Sequence, residues 1–211
     1  MYFIKAPWWL KKFYSDCIWH IPTTEKILYL TFDDGPHEEA TPFVLDILHQ
    51  YQAKATFFCI GKNVVEHPGI YERILAEGHR TGNHSYSHLN GWQVSSEEYI
   101  QDIIKARGYI DSTLFRPPYG RVSSFQRKLL TRKGAANGVA FKIIMWDVLS
   151  GDFDLKRTAE QCAKNVLDNA KSGSIITFHD SKKALPRMKD ALVRTLEHFS
   201  AQAYRFEAIP N

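Results

Sequence analysis

The chain has 211 residues, 44% of them hydrophobic, enough for one domain with a large core, and no Pro/Gly/Ser-rich linker, low-complexity tract or internal repeat divides it. The formal charge is only +4 (27 Lys and Arg against 23 Asp and Glu), and the basic pairs Lys11-Lys12, Arg127-Lys128 and Lys182-Lys183 stand apart from one another, which excludes a nucleic-acid-binding stripe. Cys17, Cys59 and Cys162 form no CxxC spacing and no disulfide framework, which fits a reducing compartment, and no apolar run reaches membrane-spanning length.

Residues 1–25 carry a dense cluster of Trp8, Trp9, Leu10, Phe13, Tyr14, Ile18 and Trp19. They lack the basic start, clean apolar stretch and cleavage site of a secretory signal, so the expected location is cytoplasmic, with peripheral membrane attachment or export as alternatives. The segment reads as an extension that folds back onto a domain formed by 26–211. The alternative is an interfacial anchor, with Lys5, Lys11 and Lys12 toward lipid headgroups.

From there short apolar runs alternate with helical patterns. Ile27–Phe32 reads as a strand, Thr41–Tyr51 as a helix with Pro42 at an early, tolerated position, and Ala55–Ile60 as a strand. Val64–Ala76 reads as one helix ended by Gly78, and Arg80–His84 as a short strand. Ser95 and Glu98 form a capping box opening a helix to about Leu114; Ser124–Lys133 is a helix closed by Gly134. Val139–Val148 is strand-like, Thr158 and Gln161 cap a helix to about Ala170, Ser174–Phe178 is a strand, Pro186–Ser200 a helix and Tyr204–Ile209 a final strand. This alternation predicts an α/β fold, a distorted (β/α) barrel of about seven strands in a single domain. Active residues of such barrels sit at the C-terminal strand ends, which puts Asp33-Asp34, His84, Asp147 or Asp152, and His179 on one rim.

Two of these motifs point to metal-assisted hydrolysis. Asp33 and Asp34 end the first strand within Thr31-Phe32-Asp33-Asp34-Gly35-Pro36, and His84 and His88 are four positions apart in His84-Ser85-Tyr86-Ser87-His88. One carboxylate and two neutral imidazoles make an open site for a zinc-like ion, leaving the second carboxylate as a base. Taken singly, the first motif is also an ordinary turn and the second a solvated polar loop; the ligand types are shared with the iron facial triad, though no short His-x-Asp pair is present. Arg116-Pro117-Pro118-Tyr119-Gly120 is a rigid turn presenting a guanidinium and a backbone donor. Trp146-Asp147-Val148-Leu149-Ser150-Gly151-Asp152-Phe153-Asp154 carries three carboxylates after a strand, and Ile175-Ile176-Thr177-Phe178-His179-Asp180 ends a strand in a histidine.

In this order the five motifs resemble those of the polysaccharide deacetylase family, carbohydrate esterase family 4, over roughly residues 26 to 209. The resemblance implies a metal-dependent hydrolase that removes acetyl groups from N-acetylated oligo- or polysaccharides, such as peptidoglycan or chitin oligosaccharide, acting as a monomer with no nucleic-acid partner. It implies Asp33 as general base and Asp34, His84 and His88 as ligands of a divalent metal, Zn2+ foremost, with Co2+, Ni2+ or Mn2+ as alternatives. Arg116 would orient Asp33, the Tyr119 N–H would meet an oxyanion, and His179, paired with Asp152, would be the general acid. The chain departs from the family pattern at Phe153, where tryptophan is usual, at Leu149, where an aspartate is frequent, and at Thr177, where leucine lines the acetyl-methyl pocket. The alternatives are an O-acetyl esterase of the xylan type and an inactive carbohydrate-binding relative.

Overall fold

The computed structural model describes residues 2–132 and 138–210. Seven parallel strands follow one another across a curled sheet: β1 (Ile27–Asp33), β2 (Ala55–Cys59), β3 (Arg80–Asn83), β4 (Leu114–Phe115), β5 (Lys142–Ile143), β6 (Val148–Leu149) and β7 (Ile175–His179), in the order β5-β4-β3-β2-β1-β7-β6. An eighth, β8 (Arg205–Phe206), pairs with the start of β1 while the Phe206 carbonyl accepts from the Lys54 N–H, so it wedges between the lower ends of β1 and β2. The result is the single-domain (β/α) half-barrel that the alternation predicts.

The helices are α1 (Trp8–Phe13), α2 (Ala40–Gln50), α3 (Gly61–Glu66), α4 (Pro68–Ala76), α5 (Ser96–Arg107), α6 (Ser124–Thr131), α7 (Ala159–Asn169) and α8 (Leu185–Ala201). Two depart from the sequence reading. The helix expected over Val64–Ala76 is two, because Pro68 has no N–H to continue α3 and instead opens α4. The helix from Ser95 stops at Arg107, well before Leu114, which is strand β4. The expected end of α6 at Lys133-Gly134 lies outside the described residues. Side-chain caps hold three helices: Ser95 accepts from the Glu98 N–H, and Ser123/Gln126 and Thr158/Gln161 form reciprocal boxes.

Side chains of β1 and β7 alternate faces. Leu28, Leu30 and Phe32 join Ile176 and Phe178 in the main core, against Val44, Leu45 and Leu48 of α2 and Met188 and Leu192 of α8; Phe32 stacks between Phe57 and Phe178. A fully buried ring of this kind contributes roughly 1.5–3 kcal/mol. The opposite face points into the barrel and is layered. Tyr29, Ile175, Phe58, Leu114 and Ile144 fill the floor. Thr31 pairs with Thr177 one layer up, and Asp33 pairs with His179 at the top.

The N-terminal segment lies along the gap between β5 and β7. Ile18 bridges Ile144, His20 bridges Ser174, and Lys5 bridges Val148. Ala6, Cys17 and Trp19 are buried there, whereas Trp8 and Phe13 are each 76% exposed. Lys11 reaches the buried carboxylate of Asp147 at 2.5 Å. All three cysteines are buried free thiols, and among the described residues no helix is long and apolar enough to cross a membrane.

Candidate active site

Because the strands are parallel, their C-terminal ends share one rim, and a cavity of about 370 Å³ opens there, lined by Asp33, Asp34, His84, His88, Tyr119 and His179 among others. Six of the eight residues singled out in the sequence therefore line one space. The other two, Arg116 and Asp152, are fully buried directly behind it.

Asp33 is 3% exposed, and its Oδ1 accepts from Arg116 Nη1 at 2.7 Å. Arg116 is held on all sides: Nη1 also donates to Thr31 Oγ1, Nε to the Ile144 carbonyl and Nη2 to the Met145 carbonyl, while the guanidinium carbon sits 4.1 Å from the Phe58 ring centre. A charged pair with this many fixed bonds holds the carboxylate in one orientation at the floor of the cavity.

Asp34 turns the other way, with a left-handed backbone (φ 81°) that carries its side chain from the β1 end toward the histidines. Its Oδ1 lies 3.2 Å from His88 Nε2 and 3.7 Å from His84 Nε2. One donor atom from each of the three residues falls within 4.8 Å of the others, the one such cluster among the described residues. The chemistry of the set fits a divalent cation. Burial pushes His84 down to about 4, so its ring is neutral. Its Nδ1 faces the Arg116 carbonyl at 2.8 Å, which only accepts, so Nδ1 carries the proton and Nε2 offers its lone pair toward Asp34. Burial alone would raise the Asp34 carboxyl; the His88 hydrogen bond and the surrounding imidazoles outweigh it and hold the group well below the usual carboxylate range. Ser85 and His88 also adopt left-handed backbone, and Asp102 on α5 fixes the loop between the histidines by accepting from the Tyr86 and Ser87 N–H groups at 2.9 and 3.0 Å. Asp102 carries no motif signal; it is found only through these bonds.

Opposite, Asp152 grips His179 twice. Its Oδ2 accepts from the His179 backbone N–H and its Oδ1 lies 2.8 Å from Nδ1 of the ring. Burial would lower the imidazole, but the Asp152 charge and hydrogen bond exceed it and raise His179 to about 9. Asp147, the alternative to Asp152 in the sequence reading, is at the other end of the barrel. It precedes β6, and its Oδ2 accepts from Ser174 at the foot of β7.

The Arg116–Gly120 turn is a single 3-10 turn with Tyr119 at φ 57°. Pro117 and Pro118 have no N–H, so the first donor the turn offers at the rim is that of Tyr119. Its ring is 61% exposed, and its hydroxyl is 3.1 Å from His88 Nδ1. Gly120 lets the turn close on Trp146: a Cβ there would stand 2.6 Å from the indole ring. Thr177 is not at the cavity. It is fully buried with its hydroxyl 3.1 Å from Thr31 Oγ1, a layer beneath Asp33, because alternation places residue 177 two steps below His179 on the same face. Leu149, Trp146 and Phe153 line the cavity in its place, joined by Tyr2, Asn90 and Lys183, which sequence reasoning did not single out.

The family model for polysaccharide deacetylase matches residues 20–138. A peptidoglycan-N-acetylglucosamine deacetylase of Bacillus cereus is 34% identical over 197 residues, covering 90% of each chain. A chitooligosaccharide deacetylase of Azorhizobium caulinodans is 36% identical over 169 residues, covering 76% of each. A crystal structure of the Bc1960 peptidoglycan N-acetylglucosamine deacetylase, in complex with a naphthalenyl N-hydroxybenzamide, superposes with a TM-score of 0.85 at 34% identity, covering 97% of this chain and 95% of the other.

Proposed function

The chain belongs to the polysaccharide deacetylase family, and from that premise we propose that it is a metal-dependent N-deacetylase acting on N-acetylglucosamine-containing glycan. The observation that carries the reading is a pair of oppositely partnered groups on neighbouring strands: Asp33 bound to a buried arginine, and His179 bound to a buried carboxylate. One is equipped to accept a proton and the other to give one.

Asp34, His84 and His88 would hold the cation, and zinc suits the donor set best. A bound cation supplies polarisation of the acetyl carbonyl and a more acidic water. Asp33 then removes the proton of the attacking water. The Tyr119 N–H donates to the oxygen that becomes negative as the carbonyl carbon turns tetrahedral, a contact worth ~3 kcal/mol in comparable sites. His179 protonates the nitrogen, so that a neutral amine departs rather than an amide anion. Asp152 holds the ring in the tautomer that directs the proton into the cavity. Complete retention of base, ligands and acid in one cavity supports turnover over a sugar-binding role alone.

The test is acetate release from N-acetylglucosamine oligomers, with acetylated xylan as the comparison substrate, before and after exhaustive chelation. We expect release from the amino-sugar oligomers, its loss on chelation and its return with Zn2+. Release from acetylated xylan alone would reassign the enzyme to ester hydrolysis, and activity indifferent to chelation would remove the metal from the reaction.

A further inference from the structure

One residue of the cavity wall, Tyr2, comes from the start of the chain and not from the five loop motifs. Backbone pairing of Ile4 with Leu149 and of Ala6 with Asp147 runs the N-terminal segment along β6, and this brings Tyr2 to the cavity rim. Its hydroxyl is fixed in both of its hydrogen-bonding capacities. It donates to Asp154 Oδ2 at 2.6 Å and accepts from Arg157 Nε at 2.8 Å. The Tyr2 ring meets Phe153 edge-on at 4.9 Å, and the Phe153 ring meets the His179 imidazole edge-on at 5.0 Å. Three rings thus run in series from a residue near the terminus to the imidazole. Phe153 and Tyr2 are both only partly buried, so one side of each faces the cavity.

We propose that Tyr2 is a positioning residue of the active site: it holds Phe153 against His179 and with it forms an aromatic wall for a pyranose ring of the glycan. The chemistry of the ligand matches the wall. A pyranose presents C–H groups on its faces and hydroxyls around its edge, so it packs on an aromatic surface while its edge stays hydrated. Without Tyr2, the outer side of Phe153 faces water and the ring is free to leave the imidazole. The phenol clamp explains why tyrosine serves here: the Asp154–Arg157 pair fixes the ring at the rim at little entropic cost, since only two side-chain torsions are restrained.

The inference rests on the deacetylase reading and is tested on the full chain carrying a C-terminal tag, with an N-acetylglucosamine tetramer as substrate. Tyr2→Ala should raise KM roughly three- to tenfold, the range expected for one lost aromatic contact, with a smaller fall in kcat. Tyr2→Phe keeps the ring but not the clamp and should restore most of the loss. Calorimetric binding of the tetramer to an Asp33→Asn background, with and without Tyr2→Ala, should show the same fold-change in Kd. A Tyr2→Ala enzyme whose KM and Kd stay within twofold of the parent overturns the proposal, including when only its melting temperature falls. A parent enzyme that releases no acetate from any such oligomer, yet binds the tetramer with the expected Tyr2 dependence, breaks the deacetylase reading and leaves the wall standing.

Discussion

Asp152→Asn is the sharpest test of how this site makes an acid. In the parent, the Asp152 charge and hydrogen bond overcome the effect of burial and bring His179 to about 9. Asparagine keeps the size and one acceptor. That acceptor is claimed by the His179 backbone N–H, which Asp152 Oδ2 now receives at 2.8 Å, leaving an NH2 group toward ring Nδ1. A donor facing Nδ1 opposes its protonation, and burial is then uncompensated, so the imidazole falls to its ordinary 6.5 or lower. At pH 8 about nine in ten parent rings are protonated, against about one in thirty at 6.5. We therefore expect kcat at pH 8 to drop at least roughly thirtyfold, with the alkaline limb of the kcat–pH profile moving from near 9 to 6.5 or below and a smaller loss on its acid side. The assay is initial-rate acetate release from pH 5 to 10, alongside NMR titration of the His179 ring. A profile lowered equally at every pH, with its alkaline limb in place, would refute the assignment of Asp152 as the group that keeps His179 charged. Stability shifts with the same sign: because the folded His179 sits above its unfolded value, the pair's contribution is fully present below about pH 6.5 and is lost as the pH rises through about 9.

Asp33→Asn should abolish turnover while elemental analysis still finds one metal ion per chain, and His84→Ala should lose the ion; near-normal activity in the first variant would reject the base. Lys11→Met leaves Asp147 buried beside Ser174 and His20 without its cation, and should cost about 2 kcal/mol in urea unfolding, below the roughly 3–5 kcal/mol of a fully buried pair because Lys11 is itself partly exposed. Adding Asp147→Asn to that variant should recover part of the loss. Gly35→Ala should fail more severely, since a Cβ at Gly35 would stand 2.0 Å from Asp180 Oδ2, and that carboxylate is locked by the Gly35 N–H and the Thr41 hydroxyl; a variant with native melting temperature and activity would show that the loop has room the packing denies.

The strand–helix alternation made the barrel legible because each long strand carries its own signal of continuous burial: β1 and β2 are buried along their whole length and β7 up to His179, on both faces, with the polar residues gathered toward the C-terminal end. The region Val139–Val148 carries the same signal and misleads. Only Lys142–Ile143 and Val148–Leu149 are strand, since the carbonyls of Ile144 and Met145 turn to the Arg116 guanidinium and the chain crosses from β4 toward β7. Pro68 and Gly108 are the signals at the α3–α4 break and the α5 stop, and a reading of one helix over Val64–Ala76 and of another reaching Leu114 passes over both. The catalytic set was readable because ligands and acid–base groups sit at strand ends within short motifs. The supports were not: Asp102 and Tyr2 reach the site across 15 residues or more of chain, through contacts that leave no periodicity. Thr177 shows the limit from the other side, where a position assigned by resemblance proves to lie one layer down.

The left-handed backbone at Asp34, His88 and Tyr119 carries a cost unrelated to bonding. Each residue with a Cβ in that region forfeits roughly 1 kcal/mol that glycine would not. Selection for thermal tolerance alone would therefore drive these three positions toward glycine, removing two ligands and the Tyr119 ring that packs on His88. The barrel below must be stable enough to tolerate that pressure, and the surplus burial of its phenylalanine-rich core is where such tolerance resides. A heat-hardened relative evolved without a demand for turnover should lose its chemistry at these turns first, while its strands stay unchanged.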